Sequence, residues 1–125
     1  MKTTVSIYQT NVEGQKTIDF PFTFDLQGNI DLRKLSFAIA KRFNNLAKIA
    51  IKHKTYFKRS KPVHFELWND SQIFSTDTAQ AKKLGLLIRA TKQGKLVSTE
   101  AMADLIYDIL EFNNSLELQS NEIEA

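Results

Sequence analysis

Lysine and arginine side chains are concentrated between Asp31 and Lys61, in the stretch DLRKLSFAIAKRFNNLAKIAIKHKTYFKRSK. Lys34, Lys41 and Lys48 recur every seven residues, and Lys52 follows four residues after Lys48. In a helix these lysines share one side, with successive groups about 10 Å apart along the axis at heptad spacing. Ammonium groups at this spacing suit contacts with several phosphates of a nucleic acid. The stretch therefore predicts a phosphate-binding helix.

A larger set of residues belongs to the same hypothesis. The basic residues assigned to nucleic-acid binding are Lys34, Lys41, Arg42, Lys48, Lys52, Lys54, Lys58, Arg59 and Lys61. The aromatic residues that would stack on the bases of a single strand are Phe37, Tyr56 and Trp68. The charged groups would position phosphates, and nothing in the stretch argues for readout of a base sequence. DNA and RNA, in single or double strands, are all left open.

The alternative interpretation is that the lysines only solvate a helix, because lysine is a good helix former. Solubilising surfaces usually mix glutamate with lysine four residues apart, which stabilises the helix. No acidic residue occurs between Asp31 and Glu66. The missing acids favour a surface that meets an anionic partner.

A catalytic interpretation rests on the two histidines of the chain, His53 and His64, with Lys54 nearby. Two histidines and a lysine suit acid–base cleavage of RNA, in which the lysine stabilises the developing negative charge. Their spacing does not demand this, and histidines in a basic region are more often auxiliary phosphate contacts. We expect no enzymatic activity, no metal and no cofactor.

The C-terminal part of the chain is acidic, and no basic residue follows Lys95. One side of the last predicted helix carries Glu100, Asp104, Asp108 and Glu111. This acidic stripe is a solvated face, a docking site for the basic helix of another copy, or an imitation of phosphate spacing. The second functional hypothesis is therefore a protein-interaction module, such as an inhibitor or assembly factor of a phage or mobile element. It would act through the acidic helix or the basic helix.

The composition indicates one globular domain. The chain has 125 residues, 42% of them hydrophobic, with a formal net charge of +3. We expect a single domain over residues 1–118 and a frayed polar tail over 119–125. The absence of cysteine excludes disulfides and thiolate metal sites, and no secretion signal or bilayer-length apolar run is visible. The sequence therefore predicts a cytoplasmic protein with no membrane partner.

Alternating apolar residues predict a β-hairpin ahead of the basic helix, with strands over 3–12 and 17–24. On the second strand Ile18, Phe20, Phe22 and Phe24 share one face, which is expected to be core rather than an exposed surface for stacking bases. Pro21 cannot donate a ladder hydrogen bond, so this strand should lie at an edge or contain a bulge. Asp31, or Asn29, is expected to cap the basic helix, which should end near Lys54.

After Pro62 the sequence predicts two short strands, over 63–68 and 72–75, with Val63, Phe65 and Leu67 inward. A basic connector before such a hairpin resembles, in geometry only, the wing of winged-helix DNA-binding proteins. Helices are expected over 79–93 and 100–113, as an antiparallel pair. Gly85 lies inside the first of them and should permit close approach by another element. The predicted fold class is α+β in the order ββαββαα.

Overall fold

The computed structural model of the protein describes residues 2–25, 31–58, 61–69, 71–89 and 96–124. Its elements follow the order ββαββαα, as the sequence predicts. They are β1 (Lys2–Thr10), β2 (Lys16–Asp25), α1 (Leu32–Lys52), β3 (His64–Asn69), β4 (Ser71–Ser75), α2 (Thr78–Arg89) and α3 (Thr99–Glu124).

The four strands form one antiparallel sheet in the order β2-β1-β3-β4. β2 lies at an edge, as the proline in its centre required. Pro21 is opposite Ser6 of β1, and the register of the pair is continuous through this position. The β3–β4 hairpin is joined to the N-terminal hairpin through β1, so β3 is a central strand. The β3–β4 hairpin is therefore part of the central sheet, and its likeness to a wing stays a prediction.

The N-terminal hairpin turns at residues 11–15. Gly14 has a φ of 83°, a conformation that glycine adopts without a steric penalty, and the backbone oxygen of Asn11 accepts a hydrogen bond from its N–H. Beyond the turn, Phe20 and Phe22 are buried in the core, with Ile18 and Phe24 packed at its margin. The prediction that this aromatic face is core is confirmed.

α1 begins where Asp31 caps it, because the Asp31 carboxylate accepts hydrogen bonds from the backbone N–H groups of Arg33 and Lys34. Its apolar side packs on the sheet through Leu35, Ile39 and Phe43, which are buried. The helix ends at His53 in a Schellman arrangement. In it, Thr55 N–H donates to Ala50 O and Lys54 N–H donates to Ile51 O.

An aromatic cluster fills the core beneath the end of α1. Phe43 stacks on Phe57 with ring centroids 6.0 Å apart, and Phe20 meets Phe57 edge-on at 5.0 Å. Tyr56 packs against Phe20, Phe43 and Phe57. The segment after α1 therefore returns to the core and does not project from it.

α2 packs closely against the connector between α1 and β3. A Cβ atom added at Gly85 would lie 2.8 Å from the carbonyl oxygen of Lys61, so only glycine permits this contact. The expected close approach at Gly85 is confirmed. At its start, Asp77 and Gln80 each accept a hydrogen bond from the other's backbone N–H, which is a capping box. The predicted end of this helix, Gln93, lies outside the described residues.

α3 begins after Ser98, whose hydroxyl accepts a hydrogen bond from Ala101 N–H. It packs chiefly on α1 and contacts α2 much less. Buried Asn44 of α1 donates from its amide to Val97 O and Thr99 Oγ1, which fixes the start of α3. The helix continues to Glu124, so the predicted end near Asn113 is corrected, whereas the frayed tail over 119–125 stays a prediction. The residues after Asn113 include neither glycine nor proline to end the helix, and the leucine, glutamate and glutamine residues among them favour it.

Candidate nucleic-acid interface

The lysine stripe, defined as Lys34, Lys41, Lys48 and Lys52, lies on the exposed side of α1. The helix positions it because the opposite side of α1 is buried against the sheet and α3. At a rise of about 1.5 Å per residue, the stripe extends over roughly 27 Å. α1 itself contains no acidic residue. The predicted arrangement of these four side chains is therefore present on one rigid element.

Two arginines of α1 flank the stripe and are held by aromatic rings. The Arg33 guanidinium lies 3.8 Å from the ring centroid of Tyr107 and donates to Asp104 Oδ1 over 3.0 Å. Arg42 lies 5.7 Å from the ring of Phe22 and 5.4 Å from that of Phe24. Arg42 is exposed on the side of α1 that faces β2, and it widens the cationic surface in that direction.

The basic connector follows α1, and Gln9 of β1 holds it in place. The Gln9 side chain is fully buried, and its amide nitrogen donates to the carbonyl oxygens of Lys58 at 2.7 Å and of Lys61 at 3.3 Å. Its amide oxygen accepts from Lys58 N–H at 2.8 Å. The side chains of Lys54 and Lys58 are exposed, and that of Lys61 is half-buried. Arg59 lies outside the described residues.

Lys54 has an unusual backbone conformation, with a φ of 58°. It occupies the position after the C-cap of α1 that glycine usually takes in a Schellman motif. A side chain in the left-handed region costs about 1–2 kcal/mol. The chain therefore keeps a cation where glycine would be the more stable choice.

No family model, curated protein or solved structure matches the chain. Its function therefore has to be argued from the geometry of its own residues. Among the described residues, no helix combines the length and the apolar character needed to cross a bilayer.

Of the three aromatic residues predicted to stack on bases, only Phe37 lies beside the lysine stripe. Its ring is 47% exposed on α1. Tyr56 is partly buried, because its ring packs in the aromatic cluster against the core, and this burial raises its pKa to about 12. Trp68 is 39% exposed on β3, on the face of the sheet that points away from α1. Neither Tyr56 nor Trp68 joins the lysines of α1.

The two histidines are not brought together. His53 caps the end of α1, on the side of the sheet covered by the helices. His64 lies on the opposite face, where its ring stacks on Tyr8 at 5.5 Å and its Nδ1 is 3.3 Å from Thr76 Oγ1. Burial lowers the pKa of His64, partly opposed by the charge of Glu66. The arrangement offers no paired proton relay between the two imidazoles.

The face of the sheet opposite the core carries a polar network that sequence reasoning missed. Lys16 Nζ lies 2.5 Å from Glu66 Oε1 and 3.1 Å from Ser6 Oγ, and Tyr8 OH donates to Glu66 Oε2 over 3.3 Å. Ser6 in turn donates to Asp19 over 2.5 Å. This network joins β1, β2 and β3. It contains one cation, Lys16, and two carboxylates, Asp19 and Glu66, so it is not a second cationic surface.

Glu66 lies on the face of the sheet opposite the core, yet only 5% of the residue is exposed. Burial raises its pKa, but the hydrogen bonds from Lys16, Trp68 and Tyr8 and the charge of Lys16 outweigh that effect. The net result is a pKa below the ordinary value, so Glu66 is ionised at neutral pH. Burial and the charge of Glu66 raise the pKa of Tyr8. The polar alternation of β1 and β3 was visible in the sequence, but their pairing was not.

The acidic stripe lies exposed on α3 at Glu100, Asp104, Asp108 and Glu111. Its N-terminal half faces α1, where Glu100 and Asp104 line a groove together with Arg33, Lys34 and Lys41. Farther along α3, Asp108 lines a second cavity of about 320 Å³ between α2 and α3, together with Ile109 and Phe112. The acidic stripe is thus divided between two different surroundings.

Proposed function

We propose that the protein binds nucleic acid, without catalysing a reaction, through the lysine stripe and the basic connector. The observation that carries the proposal is the exposure of Lys34, Lys41, Lys48 and Lys52 on one side of a helix that contains no acidic residue. A polyanion with evenly spaced phosphates is the partner that such a surface suits.

The connector supports the proposal because it continues the cationic surface beyond the end of α1. Lys54 and Lys58 are exposed there, and the buried side chain of Gln9 fixes the backbone that carries Lys58. Fixing this backbone lowers the entropy that would be lost on binding. Backbone phosphates are the expected contacts, so the proposal includes no base sequence.

The test is fluorescence anisotropy of labelled single- and double-stranded DNA and RNA at salt concentrations from about 50 to 200 mM. Four or five phosphate contacts predict a log–log slope of about −3 to −4.5, which corresponds to a roughly 60- to 500-fold loss of affinity across this range. The substitutions K41E, K48E and K52E together should abolish binding, since they reverse three of the four charges of the lysine stripe.

A matched control makes the same change in net charge at lysines outside α1. Lys2, Lys82 and Lys83 are exposed on β1 and α2, and K2E, K82E and K83E together should reduce affinity much less than the α1 variant. Circular dichroism should show both variants folded, because the substituted side chains are exposed. Equal losses in the two variants would mean that net charge, rather than the lysine stripe, determines binding.

A second candidate function is self-association by docking of one copy's lysine stripe on another copy's acidic stripe. It is favoured by the cavity of about 320 Å³ beside Asp108 and by Phe112, which is 56% exposed there. Sedimentation velocity at low and high salt tests it. D108K and E111K together should abolish a salt-sensitive dimer and leave or raise nucleic-acid affinity. A monomer under all conditions would eliminate this candidate.

A further inference from the structure

The groove between α1 and α3 combines three chemical features in one cavity of about 520 Å³. This volume is within the range of pockets that hold small ligands. Phe37, Ala38 and Ala103 provide apolar surface, and the Phe37 ring is 47% exposed. Lys34 and Lys41 line the α1 side, whereas Glu100 and Asp104 line the α3 side.

The two walls of the groove are held at a fixed separation. Arg33 donates to Asp104 across the groove over 3.0 Å, and its guanidinium lies 3.8 Å from the ring centroid of Tyr107. Below them, Asn44 ties α1 to Val97 and Thr99 at the start of α3. The buried Asn44 contacts contribute most to this separation, since the Arg33–Asp104 pair is exposed.

Each of these three features of the groove has a counterpart in a nucleotide. Its phosphates suit Lys34 and Lys41 of the lysine stripe, and the flat face of its base suits stacking on Phe37. A carboxylate only accepts hydrogen bonds, and Asp104 already accepts one from Arg33, so it is Glu100 that favours base edges carrying amino groups. Cytosine, adenine and guanine offer amino groups. Thymine and uracil have none, and their single ring N–H lies between two carbonyl oxygens that a carboxylate would repel.

We propose that this groove binds one unpaired, amino-bearing base of a single-stranded nucleic acid whose phosphates lie along the lysine stripe. The inference rests on the proposed function, because the groove shares Lys34 and Lys41 with that surface. A duplex buries the face of each base in the stack, so the groove would receive a base only after it has been extruded. Single strands should therefore bind more tightly than duplexes of equal length.

The experiment compares labelled dC15, dT15 and a mixed-sequence 15-base-pair duplex by anisotropy at one salt concentration. We expect dC15 to bind about five- to tenfold more tightly than dT15. This ratio is at the low end of the range for a specific base contact, because the groove is open to solvent. The substitution F37A should weaken dC15 binding by roughly fivefold or more through lost stacking. The substitution E100A should bring the dC15 and dT15 affinities together.

Matched control variants are available on the same helices. Ile49 is 59% exposed on α1 and does not line the groove, so I49A should leave dC15 affinity unchanged. Glu111 is exposed on α3, also outside the groove, and E111A should leave the ratio of dC15 to dT15 affinity unchanged. These controls separate the groove from general effects of apolar area and charge.

The outcomes distinguish the groove from the lysine stripe. Equal affinities for dC15 and dT15, with F37A indistinguishable from I49A, would overturn the groove while leaving phosphate binding by α1 intact. Tighter binding of the duplex than of dC15 would also overturn it. A protein that binds none of the three ligands at the lowest salt would overturn the proposed function, and the groove with it.

Discussion

Replacing Lys54 by glycine should stabilise the protein and weaken its proposed function at the same time. Lys54 has a φ of 58° in the Schellman motif that ends α1. Relieving a left-handed side chain gains about 1–2 kcal/mol, whereas the extra freedom of glycine in the unfolded chain costs about 0.4–1 kcal/mol. The net expectation for K54G is an increase of roughly 0.5–1 kcal/mol in the free energy of unfolding.

The same substitution removes one exposed ammonium group from the proposed interface. Loss of one phosphate contact should reduce the magnitude of the salt slope by about 0.7 to 0.9, which is a roughly five- to eightfold loss of affinity near 0.1 M salt. Stability and affinity should therefore change in opposite directions. Most substitutions destabilise, so this combination is a demanding test.

Urea denaturation followed by the fluorescence of Trp68, the single tryptophan of the chain, measures the stability, and anisotropy measures the affinity. The matched control is K52G, which removes a lysine in the last turn of α1. There the backbone is helical, so glycine should destabilise by about 0.5–1 kcal/mol. If K54G destabilises as K52G does, the argument from backbone strain is refuted. Unchanged affinity in K54G would remove Lys54 from the interface.

Two further predictions concern buried polar groups. Q9A removes three hydrogen bonds to the connector and should lower the free energy of unfolding by about 2 kcal/mol, a moderate loss because part of the connector can rehydrate. The control V12A, at a fully exposed side chain, should change the free energy of unfolding by less than about 0.5 kcal/mol. Equal urea midpoints for the two variants would contradict the role of Gln9 in holding the connector. For Glu66, whose folded-state pKa is lowered, the stabilisation is present above the unfolded pKa and is lost as pH falls through the folded pKa. The wild-type protein should therefore lose stability as the pH falls below 4.5, the ordinary pKa of this group, and E66Q should lose less. Urea midpoints measured between about pH 3 and 7 test this. Identical pH profiles for the two proteins would exclude a role for the Glu66 charge.

Local signals predicted the elements well because they act within a few residues. Asp31 caps α1 by bonding to N–H groups two and three residues away, and the alternation of Phe20 and Phe22 directly indicated a buried strand face. Gly85 was also interpreted correctly, because glycine inside a helix needs a reason from packing. The exposed lysines of α1 followed from the helical period alone.

Features that depend on distant pairing were not predicted. Glu66 is buried because β3 pairs with β1, which brings Lys16 and Tyr8 to its carboxylate. Both residues lie about fifty or more positions from Glu66 in the sequence. Tyr56 was assigned to the surface because it lies among lysines, yet the chain returns it to the aromatic core. Gln9 gave no signal, since a glutamine in a strand is usually solvated. Each of these depends on the sheet order, which the sequence left undetermined.

The position of Pro21 also bears on how separate molecules meet. The outer edge of β2 would otherwise present a row of N–H and C=O groups on which a strand of another molecule could align. Proline has no N–H to offer there, and continuous pairing with β1 is consistent with its ring nitrogen facing outward. The exposed Lys16 and Asp19 add charge along the same strand. This edge is therefore a poor template for aggregation. The hairpin keeps its aromatic inner face in the core, and its outer edge does not favour pairing with the sheet of another molecule.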